Sequence, residues 1–181
     1  MLEVDKLGQI ARDVSAVLRA RWHLRKANHL GRYVRLWGKP SIHNCGKMVI
    51  GDKVRLISTT ATLELVADGG LLEIGDHSFI NYGCSIAATE LVRLGPYCLI
   101  GTHVIIMDND YHHLEPEHRQ ERPSSSPVIL EENVWLGARV IVLKGVRIGA
   151  GSVVAAGSVV VKDIPPRSLA AGTPARVIRE L

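Results

Sequence analysis

The sequence predicts an all-β fold: a parallel β-helix of hexapeptide repeats, with an N-terminal α-helix and a long excursion loop at about residues 107–127. Three observations carry this reading. From residue 130 an aliphatic residue recurs every six positions, as Leu130, Leu136, Val142, Ile148, Val154 and Val160. A small residue follows directly in several rungs, as Gly137, Gly149 and Ala155. Aromatic residues make up only 4% of the chain, so small and β-branched aliphatics must build a narrow, repetitive core.

A period of six fits neither the 3.6-residue turn of a helix nor the plain two-residue alternation of a strand. It fits a short strand followed by a tight turn, repeated. The aliphatic points inward on every rung, and the small residue lets the backbone turn without a Cβ clash. Two positions before each aliphatic stand Val128, Val134, Val140, Val146, Ser152 and Ser158. Three such units close one triangular coil, and coils stack with like residue above like. The period returns upstream in Ile50 and Leu56, in Ile74, Ile80 and Ile86, and in Leu94, Ile100 and Ile106. The hand of the coil does not follow from the period.

The elements follow in order. Residues 1–30 form an N-terminal helical segment, and residues 31–181 form the β-helix domain with its C-terminal tail. Within the first, residues 3–27 read as helix, with Leu7, Ile10, Val14, Val17, Leu18 and Leu24 as its apolar stripe. Arg12, Arg19, Arg21, Arg25 and Lys26 make it basic. Such a helix caps the open end of a coil or lies on a membrane surface. Leu36 and Ile42, six apart, place the start of the coil within residues 33–48. Residues 61–73 read as an irregular turn of coil with a bend at Gly69-Gly70. Eight residues instead of six separate Ile86 from Leu94, and the register breaks fully between Ile106 and Leu130. The tail leaves the coil through Pro165-Pro166, carrying Lys162, Arg167, Arg176 and Arg179.

The 181 residues, 46% hydrophobic and 22% charged, suit one soluble domain. The net charge of +4 points to nucleic acid, a membrane surface or an anionic small ligand. No aromatic platform stands among the basic residues, which argues against nucleic acid. The apolar runs are too short for a transmembrane helix, and the charged N-terminus has no signal core. Cys45, Cys84 and Cys98 are an odd set, read as reduced, packed thiols of a cytoplasmic protein.

The excursion gathers His112, His113 and His118 with Asp108, Asp110, Glu115 and Glu117. Structureless loops beyond about twelve residues are usually functional or disordered, and so many titratable groups point to function. An imidazole with a pKa near 6.5 suits the removal of a proton from a hydroxyl. Asp110 or a backbone carbonyl could orient such a ring.

The ordered set "INYG", "DNDYHH…EHR", "NVWLG", "AAGSVVVKDIPP" and "AGTPARVIRE" resembles the hexapeptide-repeat acetyltransferases. The likeness is to the maltose/galactoside O-acetyltransferase type and its polysaccharide-modifying relatives, and is specific from about residue 74 onward. It implies a left-handed coil and a homotrimer with its active sites between subunits. It implies direct transfer of acetyl from acetyl-CoA to an acceptor hydroxyl, usually on a sugar, with no metal. His112, seven residues before Arg119, matches the family's general base, and Asn81 matches the residue that holds the acceptor. Trp135 matches a residue of the acetyl and pantetheine channel, and a backbone N–H near Ala138 would face the oxyanion. Ala156 would border the pantetheine arm, and Lys162, Arg176 and Arg179 would face the CoA phosphates. The chain departs from the pattern at Ala138, where some relatives carry Ser, and at Val161, where relatives often carry Thr. Three other readings share these residues: N-acetylation of a nucleotide-linked amino sugar, a gamma-type carbonic anhydrase binding zinc through His77, His113 and His118, and a non-catalytic scaffold.

Overall fold

The computed structural model describes residues 2–181, with side chains from Gly8 onward. Leu7 of the expected apolar stripe therefore lies outside the described side chains. The chain winds into a triangular prism with one short strand per face in each coil. Face A carries β1 (His29–Leu30), β4 (Lys47–Ile50), β7 (Leu71–Ile74), β10 (Leu91–Leu94), β13 (Val128–Leu130) and β16 (Arg147–Ile148). Face B carries β2 (Arg35–Gly38), β5 (Arg55–Ser58), β8 (Phe79–Ile80), β11 (Leu99–Ile100), β14 (Trp135–Leu136), β17 (Val153–Val154) and β19 (Ser168–Gly172). Face C carries β3 (Ser41–Asn44), β6 (Glu64–Ala67), β9 (Ser85–Ala88), β12 (Ile105–Met107), β15 (Ile141–Val142) and β18 (Val159–Val160). Strands β1 to β18, three per coil, make six coils, and a bridge from Ile148 to Ile164 followed by β19 begins a seventh.

Strands one coil apart pair in parallel, so each residue sits over its equivalent. On face B the inward column runs Leu56, Ile80, Ile100, Leu136 and Val154, each fully buried. Every six-spaced aliphatic of the sequence reading except half-buried Ile42 is buried, as is each residue two positions before it in the downstream run. Ser152 and Ser158 occupy inward positions late in the coil. The Ser152 hydroxyl donates to the Pro165 carbonyl at 2.7 Å, and the Ser158 oxygen accepts from Gly172 N–H at 3.1 Å. Strand β20 (Ala175–Glu180) runs antiparallel to β19 and closes that end of face B.

Helix α1 (Leu2–His23) packs on β2. It ends at His23, four residues earlier than expected, and the coil begins at His29, also earlier than expected. Ala16, Ala20 and Leu24 form the buried side, and Ala20 and Leu24 join the main core. Ile10, Val14 and Leu18 are instead 59%, 54% and 62% exposed. Close approach of a helix to a sheet selects small side chains, which is why the larger aliphatics face away. The eight-residue skip arises because β9 and β10 are four residues long and meet through Thr89-Glu90. Cys84 and Cys98 are buried as expected, whereas Cys45 is exposed, its sulfur 3.3 Å from His43 Nε2.

Candidate active site

The excursion spans residues 108–127 and leaves the prism at the edge between faces C and A. Its base is fastened by two buried polar side chains. Asp108 is fully buried, and its carboxylate accepts from the N–H groups of Thr89, Glu90 and Leu91 at 2.7–3.0 Å and from the Thr89 hydroxyl at 2.8 Å. Asn109 donates to the Pro123 carbonyl at 3.0 Å and to Ser125 Oγ at 2.9 Å. Lys144 pairs with Asp110 at 2.6 Å, and Arg122 pairs with Asp68 at 2.8 Å. Sequence reasoning missed Asp108 as an anchor. The available signal was its place two residues after inward Ile106, where alternation puts the side chain inside the coil.

His112 stands beyond this base on an internally bonded loop. Its Nδ1 lies 2.8 Å from the Arg119 carbonyl oxygen, and the Arg119 guanidinium donates to the Leu114 carbonyl at 3.0 Å. A carbonyl only accepts, so Nδ1 carries a proton, and in the neutral ring Nε2 is the nitrogen with the lone pair. Asp110, the other candidate for orienting the ring, is occupied by Lys144. Neighbouring Tyr111 adopts φ 62°, with its N–H bonded to Asn109 Oδ1. Burial, then the carboxylates of Asp108, Asp68 and Glu64, push its phenol above the usual range and keep it neutral.

Asn81, Ala138 and Ala156 lie together on a different edge, between faces B and C. Parallel register stacks Asn81, Gly101, Gly137 and Ala155 as successive first residues of this turn. Asn81 Oδ1 accepts from Tyr82 N–H at 2.9 Å, so the side chain shapes its own turn, and among the described residues Nδ2 has no acceptor. On either side of Ala138 the ladder is occupied, with Gly137 donating to Val154 and Arg139 to Thr102. Among the described residues, the N–H groups of Ala138 and Ala156 have no backbone acceptor, and they stack one coil apart. The close stacking needs glycine at 137, where a Cβ would come 2.6 Å from Ala156 N. Trp135, 52% exposed, stands on the outer surface of face B in register with Leu99.

At the C-terminal end, Lys162 and Arg176 line one cavity of about 310 Å³ with Asp163 and Val177. Arg179 lies further along β20, opposite Leu169, and its guanidinium donates to the Glu180 carbonyl at 3.1 Å. The chain thus gathers Asn81, Ala138 and Ala156 on one edge and Lys162 with Arg176 at its end. It holds His112 on another edge. The three histidines of the zinc reading are not assembled within the chain either. His113 and His118 face each other in the loop at 6.4 Å, while His77 stacks on Tyr97 at the edge between faces A and B.

Comparison with known proteins adds to this geometry. The profile of the hexapeptide repeat of succinyl-transferase matches residues 127–162. Galactoside O-acetyltransferase of Escherichia coli (strain K12) is 38% identical over 117 residues, 62% of this chain and 56% of that protein. The chain spans about half the length of such curated relatives, 53%, 56% and 55% of three of them. A hexapeptide-repeat acetyltransferase of Vibrio cholerae O1 biovar eltor, solved with acetyl coenzyme A, superposes with a TM-score of 0.65 and 32% identity, over 90% of this chain and 76% of that one. A galactoside acetyltransferase solved with coenzyme A gives 0.64 and 29%, over 90% and 69%. The coil shares their left-handed fold.

Proposed function

This chain belongs to the hexapeptide-repeat acetyltransferase family, and on that premise we propose that it transfers acetyl from acetyl-CoA to a hydroxyl of a sugar or glycan precursor. The observation that carries the reading is the fixed tautomer of His112, whose Nε2 lone pair faces away from the bond to Arg119. The acceptor oxygen attacks the thioester carbonyl as its proton passes to Nε2. The tetrahedral oxyanion is stabilised by a free backbone N–H at Ala138. The C–S bond then breaks, and the CoA thiolate leaves and takes up the proton from the imidazolium. Asn81 Nδ2 donates to the acceptor oxygen and holds its lone pair toward the carbonyl.

The base and the acceptor-binding turn stand on different edges of the prism. A homotrimer resolves this, with the loop of one copy closing over the edge between faces B and C of the next. CoA would then run along that edge, from Trp135 past Ala156 to Lys162, Arg176 and Arg179, where guanidinium and ammonium groups meet its phosphates. Work on glycan precursors in polysaccharide biosynthesis implies a cytoplasmic enzyme. Peripheral membrane contact through α1 belongs to the same reading. Release of free thiol from acetyl-CoA against a panel of sugars tests the activity. Wild type should turn over and His112→Ala should not; equal rates would sink the proposed base.

A further inference from the structure

We propose that the acceptor is an amphiphile: a saccharide joined through phosphate or pyrophosphate to a hydrocarbon chain, lying in one trough across face B. This rests on the acetyltransferase reading and names its substrate class. The trough is built from two grooves that share a waist. The first, about 500 Å³, lies between α1 and the opening coil and is walled by Ile10, Val14, Val17, Leu18 and Tyr33. The second, about 410 Å³, runs on along face B past His77, Tyr97 and Leu99. Arg35 and Lys53 line both.

The waist suits a phosphate. Arg35, Lys53 and Arg55 are three cations in the second groove, where no carboxylate stands among the described residues, while Asp13 lines the first. Asp13 reaches Arg35 from the helix at 3.1 Å and occupies one terminal nitrogen. Arg35 Nε is buried and, among the described residues, has no acceptor. That nitrogen is enclosed, so a phosphate at the waist would be met by the terminal guanidinium nitrogen of Arg35 that Asp13 does not use, together with Lys53 and Arg55. Beyond the waist His77 stacks on Tyr97, with ring centroids 4.8 Å apart and planes 14° from parallel. Such a flat aromatic surface suits the apolar face of a sugar ring.

The order of the parts matches the order of groups in the ligand. Leu99 is in register with Trp135, so the trough ends about 4.8 Å, one strand spacing, from the residue placed in the acetyl channel. Arg35, Arg55, Phe79, Leu99 and Trp135 form one outward column of face B. Four strand spacings, about 19 Å, separate the waist from Trp135, and two, about 10 Å, separate it from the coil that carries Asn81. That span suits a pyrophosphate and a short saccharide. Upstream of the waist the wall is mostly apolar, with Asp13, already paired to Arg35, and Tyr33 as its polar members, so a hydrocarbon chain would be covered there. At its mouth Ile10, Val14, Leu18 and Trp22 follow at four-residue spacing and are all more than half exposed. Arg25 lies over Trp22 at 4.8 Å, an arrangement suited to an anionic lipid surface from which such a chain would enter.

Binding and turnover by the full chain with three probes test this: farnesyl-pyrophosphoryl-N-acetylglucosamine, UDP-N-acetylglucosamine and free N-acetylglucosamine. The farnesyl probe should bind about tenfold or more tighter than the UDP probe. Lys53→Glu should weaken both phosphorylated probes about tenfold, and Val14→Asp with Leu18→Asp should weaken only the farnesyl probe. The KM for acetyl-CoA should not move in either variant. Equal affinity for the farnesyl and UDP probes overturns the proposal. So does a helix double variant that changes the sedimentation mass and leaves farnesyl binding intact, because the groove then belongs to a second copy. Thiol release with free sugar but no preference among probes sinks the trough and leaves acetyl transfer standing. Tight, Lys53-dependent farnesyl binding without transfer to any probe leaves the ligand class standing and sinks the transfer.

Discussion

His112 Nδ1 and the Arg119 carbonyl oxygen stand 2.8 Å apart across seven residues of loop. The contact settles which ring nitrogen is free, and it does so through the main chain. Substitution at Arg119 would leave the carbonyl itself in place and remove only the guanidinium bond to Leu114. His112→Ala should therefore lower kcat by about 10²–10⁴-fold, the range for loss of a general base. The KM for acetyl-CoA should stay unchanged, because Ala138 and Ala156 lie on another edge and Lys162, Arg176 and Arg179 lie at the end of the prism. Arg119→Ala should lower kcat less than His112→Ala. Steady-state kinetics with varied acetyl-CoA separates the two effects.

Asp108 gathers three backbone N–H groups and one hydroxyl from Thr89 to Leu91 in a fully buried position. In Asp108→Asn an amide nitrogen would face donors it cannot accept from. With a carboxylate's charge-assisted bonds lost, stability should fall by about 2–4 kcal/mol. Urea denaturation measures this as a lower midpoint with an unchanged slope. Activity at low temperature, where the variant remains folded, should also drop, because the loop bearing His112 is hung from this anchor.

The repeat was legible because each rung needs one inward aliphatic and a close turn, and both leave a mark every six residues. Leu130 to Val160 state this outright. The helix was legible as a helix but not in its orientation. Its stripe found Leu24, which is buried, but Ile10, Val14 and Leu18 are exposed while Ala16 and Ala20 are buried, and their small size carries little hydrophobic signal. The excursion was visible as a break in register, and its internal order was not. Asp108, Asn109 and Ser125 act through backbone partners far away in the chain, which spacing alone does not encode. The division of the site residues between two edges was equally hidden, since it depends on which corner of each coil a residue occupies.

Lys162 and Arg176 share one cavity at the C-terminal end of the prism. If they meet the 3′-phosphate of CoA, the wild type should favour acetyl-CoA over its 3′-dephospho form. Arg176→Ala should raise the KM for acetyl-CoA about tenfold, the worth of one charge-assisted contact. The same substitution should leave the KM for the dephospho form nearly unchanged. A parallel loss with both donors would place Arg176 on the pyrophosphate.

Burial pushes the thiols of Cys84 and Cys98 up to about 11 from an ordinary 9.0. Both sulfurs sit inside the coil and donate to backbone carbonyls, Cys84 to Gly101 at 3.0 Å and Cys98 to Glu131 at 3.2 Å. In the unfolded chain they ionise from about pH 9, while in the folded chain they stay protonated until about pH 11. Above 9 the unfolded state therefore binds fewer protons, and stability falls as pH rises through that window. The slope is about 1.4 kcal/mol per pH unit for each thiol. Below pH 9 neither thiol contributes any pH dependence. Denaturation curves between pH 8 and 11 should show this loss, and a Cys84→Ala, Cys98→Ala double variant should show a flatter profile. In native protein at neutral pH a thiol reagent should titrate Cys45 alone, with the other two appearing in denaturant. Fast labelling of all three in the folded state would contradict the packing of the coil interior.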